Sequence, residues 1–206
     1  MAIEITGPAG RIEAHYELAS NEKTVTAVLC HPHPQYGGSM HDAVLDTAAK
    51  AYSAAGINCM RFNFRGVGAS AGSYDGQGGE VEDLRAVVAW VREEYPRDKL
   101  HLMGYSFGAH IVWQALAHEQ CKASRALLVA PPVGMMPFST PEQLFTNQVD
   151  ALAGTEDDFV KAEALAQWPD RCPQVTVHTL PGADHFFAGH HEGLGQSISE
   201  LLSSPS

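Results

Sequence analysis

Gly104-Tyr105-Ser106-Phe107-Gly108 sets one serine hydroxyl between two glycines, after the apolar run Leu100–Met103 and before the helical pattern Phe107–His118. A G-x-S-x-G segment at a strand-to-helix turn can present its serine as a nucleophile. The turn is so tight that the serine must take a strained backbone conformation. Side chains two positions before or after it would strike neighbouring backbone, hence Gly104 and Gly108. The hydroxyl is then held over the sheet edge, at the positive end of the following helix. The pattern alone arises by chance in about one chain of this length in fifteen; the strand before it and the helix after it make it specific.

A serine hydroxyl needs a base, and the base needs a group to orient it. Where the serine comes first in the chain, the acid and then the histidine should follow. Gly154-Thr-Glu-Asp-Asp-Phe-Val160 follows one apolar run with a carboxylate-rich turn, and Pro181-Gly-Ala-Asp-His-Phe-Phe187 follows another with His185 in a loop. The acid can be Glu156, Asp157 or Asp158. The Gly-x-x-Asp spacing favours Asp157, although carboxylates also suit a solvated turn before a helix. Asp184 adjoins His185 and cannot easily reach round to its ring. His110, one turn beyond Ser106, is read as a packing residue.

An acyl-transfer site also needs N–H donors for the oxyanion. Phe107 N–H is one. The other should come from His31-Pro-His-Pro-Gln-Tyr-Gly-Gly38, where Pro32 and Pro34 have no N–H to give. His33, Gln35 and Tyr36 remain, and position favours His33. His31-x-His33 and His190-His191 have spacings a metal could use. Interposed prolines at the first and the lack of converging Cys or carboxylate groups at the second make structural use the expectation, so no metal and no cofactor are expected.

These loops need a frame. Strands are predicted at Ile3–Thr6, Gly10–Leu18, Thr24–Cys30, Ile57–Phe64, Lys99–Gly104, Ala126–Ala130, Val149–Ala153 and Val175–Leu180. From the third onward most are short apolar runs, as in strands buried on both faces. Helices are predicted at His41–Ala54, Glu80–Tyr95 and Phe107–His118. The second carries Val81, Leu84, Val87, Val88, Val91 and Tyr95 on one stripe, with Glu80, Glu82 and Asp83 in its first turn. Alternation of this kind predicts an α/β fold, a mostly parallel sheet with helices on both faces, whose ligands bind beyond the carboxyl ends of the strands. No repeat or linker divides the chain, so residues 1–206 read as one domain with a frayed tail from Leu202 to Ser206.

A net charge of −11 argues against nucleic acid and anionic membrane surfaces, both of which need clustered cations. The start Met1–Ile5 is neither basic nor followed by a long apolar run, and no stretch approaches a membrane span. Cys30, Cys59, Cys121 and Cys172 are scattered, which suits reduced thiols in a cytoplasmic protein.

The strings CHPHPQYGGSMHDAV (30 to 44), RFNFRGVGASAGSYDGQGGEVED (61 to 83), MGYSFGAH (103 to 110) and GADHFF (182 to 187) resemble the compact bacterial α/β-hydrolases known as serine esterases or dienelactone-hydrolase-like proteins. The similarity runs from about Val25 to about Gly189. It implies a nucleophile at Ser106, a base at His185, an acid at Asp157, an oxyanion loop at His31–Gly38 and a structural turn at Arg65–Gly68. Many relatives insert a helical lid between the strands ending here at Ala130 and starting at Val149. The 18 residues available leave no room for one. Tyr36, Met135, Met136, Phe138 and Phe186 then either wall an open pocket or pack under the sheet edge. The expected activity is hydrolysis of a small ester or thioester through an acyl-enzyme. Its rival is a non-catalytic scaffold of the same fold, against which the presence of all three triad residue types counts. The sequence is silent on oligomeric state.

Overall fold

The computed structural model describes residues 1–20, 24–76, 78–117, 121–139, 146 and 148–204. Eight strands form one sheet: β1 (Ala2–Gly7), β2 (Gly10–Glu17), β3 (Val25–Cys30), β4 (Asn58–Phe62), β5 (Lys99–Tyr105), β6 (Arg125–Val129), β7 (Val149–Gly154) and β8 (Val175–Leu180). Their spatial order is β1-β2-β4-β3-β5-β6-β7-β8. The hairpin β1–β2 is antiparallel and joins β4 antiparallel; every other pairing is parallel.

Strand composition follows position in this order. β6 is buried at all five residues, as expected in a sheet centre covered on both sides. β2 instead alternates, with Ile12, Ala14 and Tyr16 buried, because it lies near the sheet's margin.

The helices are α1 (Ala43–Ala54), α2 (Gly79–Glu94), α3 (Phe107–Ala117), the short α4 (Ala162–Ala166) and α5 (Trp168–Arg171), and α6 (His191–Ser203). α1 packs with α6, and α2 with α3, giving two helical layers around the sheet. The α/β sheet expected from the sequence is therefore present, with local corrections. α1 starts at Ala43 because Asp42 is its cap, accepting from Val44 N at 2.8 Å. β4 stops at Phe62. Beyond it, the Phe64 N–H donates to His31 Nε2 (3.0 Å) rather than to a strand. α6 reaches Ser203, so residues expected in a frayed tail are helical. His118, Pro205 and Ser206 lie outside the described residues.

Asp83 departs from its expected role of decorating a helix start. It is fully buried and holds Arg65 through its N–H (2.9 Å), Nε (3.0 Å) and Nη2 (2.8 Å). That clamp fixes the Arg65–Gly68 turn after β4 to α2, as charge-assisted paired hydrogen bonds do well.

Candidate active site

β5 ends at Tyr105 and α3 begins at Phe107, so Ser106 alone makes the turn. Its φ is +52°, the left-handed region that costs a non-glycine residue about 1–3 kcal/mol. Gly104 and Gly108 are demanded by contact. A β-carbon on Gly104 would lie 2.3 Å from Gly108 O, and one on Gly108 would lie 2.2 Å from Cys30 O. The strand, helix and neighbouring β3 therefore meet as bare backbone, and Ser106 is held out over the sheet edge.

His185 lies in the loop after β8 and is only 6% exposed. Its Nε2 is 2.9 Å from Ser106 Oγ. Its Nδ1 is 2.8 Å from Oδ2 and 3.0 Å from Oδ1 of Asp157, which lies in the loop after β7. This arrangement assigns the Nδ1 proton to the carboxylate and leaves Nε2 free to accept from the serine. Asp157 is further held by the N–H groups of Phe159 (2.8 Å) and Val160 (3.0 Å). The neighbouring acids do other work. Glu156 and Asp158 are exposed, and Asp184 accepts from Phe186 and Ala188 N–H, capping its own turn.

The two loops are joined to each other and to the elbow. Thr155 N donates to Leu180 O, Glu156 N to Ala183 O (both 3.0 Å), and Gly182 N to Thr155 Oγ1 (2.8 Å). A β-carbon on Gly154 would meet Ala183 O at 2.0 Å, so the loops touch through backbone there too. The Tyr105 hydroxyl, beside the nucleophile, donates to His185 O at 3.0 Å.

On the other side of Ser106, His33 caps a single 3-10 turn at Pro34–Tyr36. Gln35 N donates to His33 Nδ1 (3.2 Å), and Tyr36 N donates to His33 O (3.1 Å), so both of those N–H groups are committed inside the turn. The His33 ring packs at 4.8 Å from Phe107, 4.8 Å from Tyr36 and 4.9 Å from Tyr74. His31 is a buried strut. Nδ1 donates to Pro32 O (2.6 Å) and Nε2 accepts from Phe64 N, while burial lowers its pKa to about 4. His190 and His191 bond Ala188 O and Thr47 Oγ1.

Of the five suggested pocket residues, Tyr36, Met135 and Phe186 stand exposed, whereas Met136 and Phe138 pack against the core. Phe138 lies between His110 (5.4 Å) and Trp168 (5.0 Å). His110 packs as expected, and its pKa is lowered by burial to about 4. Phe159, Tyr74 and the Tyr105 hydroxyl had no role in the sequence reading. An aromatic residue two positions past an acid carries no signal of what it will touch.

The α/β-hydrolase fold family matches residues 28–150. The chain belongs to this family. This α/β-hydrolase is 32% identical to an uncharacterised protein of Rickettsia prowazekii, over 97% of this chain and 87% of that one. Among solved structures it is similar to an α/β serine hydrolase homologue from Coxiella burnetii (37% identity, TM-score 0.91, covering 98% of this chain and 97% of that one). It is also similar to a lid-less α/β serine hydrolase from Xanthomonas campestris (35% identity, TM-score 0.89, covering 100% and 96%). With its triad assembled, the α/β-hydrolase is a serine hydrolase built for an acyl-enzyme mechanism. Among the described residues no helix is long and apolar enough to cross a membrane, and no cluster of three or more His, Cys, Asp or Glu is placed to hold a metal.

Proposed function

We propose that this hydrolase cleaves carboxylic esters of small, water-soluble acyl groups, with thioesters as the neighbouring class, as a member of the compact bacterial serine-esterase group. The single observation that carries the reading is the line from Ser106 Oγ through His185 to Asp157, at 2.9 and 2.8 Å. Ser106 Oγ attacks the carbonyl carbon as its proton passes to His185 Nε2. The carbonyl electron pair becomes an oxyanion and then collapses, and the leaving alkoxide takes the Nε2 proton. Water repeats the sequence on the acyl-enzyme, releasing the acid and returning the proton to Ser106.

Phe107 and His33 N–H are the oxyanion donors in this reading. It is supported by the commitment of Gln35 and Tyr36 N–H elsewhere and by the place of Phe107 at the start of α3. Tyr36, Met135 and Phe186 form the walls of an open site, with Met136 and Phe138 as packing behind them. Four buried free cysteines and a net charge of −11 suit a cytoplasmic enzyme of small molecules rather than of nucleic acid.

A fluorophosphonate probe tests the mechanism. Labelling at Ser106 that disappears in Ser106→Ala is the expected result, and a folded protein that takes no label would favour a scaffold. A series of p-nitrophenyl esters of graded acyl length tests the substrate class. The highest kcat/KM should fall at the shortest acyl groups, and a preference for long chains would overturn the open-site reading.

A further inference from the structure

His185 lies in a rim loop yet has almost no solvent contact. Its cover is aromatic. The Phe159 ring is 4.6 Å away at 40°, Phe186 stands perpendicular at 5.4 Å, and Tyr105 lies at 5.7 Å. Phe159 is itself 42% exposed and Phe186 60%, so both rings lie between the imidazole and solvent at the surface. Phe159 touches both partners of the pair, because its N–H also donates to Asp157 Oδ1 at 2.8 Å.

We propose that Phe159 is a positioning residue that replaces a lid locally, holding Asp157 with its main chain and covering the imidazole with its ring. The proposal rests on the hydrolase reading above. When Nε2 takes the serine proton the imidazole becomes a cation, and the π face of a nearby ring attracts a cation more than it attracts the neutral base. An interaction that grows along the reaction raises kcat rather than tightening ground-state binding. The ring also keeps water from competing for the Nδ1–H···Asp157 bond, a role a lid would otherwise share.

Phe159→Ala and Phe159→Tyr separate the ring from the main chain, since both keep the N–H. On p-nitrophenyl acetate, Phe159→Ala should lower kcat about tenfold with KM nearly unchanged, and Phe159→Tyr should restore it. The downfield proton resonance of His185 Nδ1–H should be sharp in the wild type and in Phe159→Tyr, and broadened by water exchange in Phe159→Ala. A Phe159→Ala enzyme with raised KM and unchanged kcat would overturn the proposal, making Phe159 a substrate wall. A lowered kcat with the resonance still sharp would overturn it too. The resonance needs no turnover, so failure of the hydrolase reading would show separately, as absent fluorophosphonate labelling of the wild type.

Discussion

At the nucleophile turn, β5, α3 and β3 approach so closely that a single β-carbon on Gly108 would lie 2.2 Å from a carbonyl oxygen. At the acid and base loops the contacts are mostly polar or aromatic. They run from Thr155 to Gly182, from the Tyr105 hydroxyl to His185 O, and from the Phe159 ring to the imidazole. The first region is held by what cannot fit, the second chiefly by what is bonded, with one close backbone approach of its own where Gly154 meets Ala183 O. Steric exclusion holds Ser106 in a strained conformation that hydrogen bonds of about 1 kcal/mol each would not secure. Bonded loops place two side chains on a third, although Phe187 in the base loop also takes a positive φ of +54°, and side-chain contacts such as that of the Thr155 hydroxyl can be removed alone.

The largest expected effect falls on the bonded side. Asp157→Asn keeps the shape but presents the wrong partner to Nδ1, and kcat should fall about 10³- to 10⁴-fold. Asp158→Asn should leave kcat close to wild type, and equal losses from the two would remove the assignment of the acid. Next comes the steric side. Gly108→Ala should destabilise the fold by about 3 kcal/mol in urea unfolding, and an unperturbed midpoint would show that the elbow yields more easily than its contacts imply.

A third measurement probes the support behind the nucleophile turn through pH. His31, just after β3, and His110, on α3, are both buried neutral with pKa values of about 4, below the ordinary 6.5. The unfolded chain therefore takes up protons first as pH falls through about 6.5. Stability present above that pH is lost toward pH 4, at about 1.4 kcal/mol per pH unit for each histidine. Urea midpoints at pH 6.5 and 5 should show this decline, and His110→Phe should make it shallower; an unchanged slope would mean that His110 is not buried neutral. The smallest effect belongs to Thr155→Val, which removes the hydroxyl bonded to Gly182 N. It should cost about 1 kcal/mol and lower kcat modestly, whereas a loss as large as that of Gly108→Ala would erase the distinction between the regions.

Legibility in the sequence follows the same division. Buried strands such as β6 and β7 are mostly apolar because both their faces are covered, with Arg125 and Asp150 buried only as a pair bonded to each other at 2.9 Å, so they were readable with ends off by one residue. α6 was missed although Leu194 and Ile198 are buried, since its many small and polar residues dilute the stripe. Gly104 and Gly108 were readable because a steric demand leaves a residue type behind. The roles of Phe159, Tyr105 and Thr155 were not, because a ring contact or a bond to backbone can be made by many residues in many places.

From its residues alone, then, this chain declared an α/β sheet, a serine on a glycine-bounded turn, and an acid and a histidine in the right order on later loops. Spacing along the chain cannot measure distance across it. Only the folded sheet brought β5, β7 and β8 into register at one edge, selected Asp157 over its exposed neighbours Glu156 and Asp158, and covered the imidazole with rings from two loops. Those outcomes depend on contacts between residues 28 and 79 positions apart, and such contacts exist only once the chain has closed around its core.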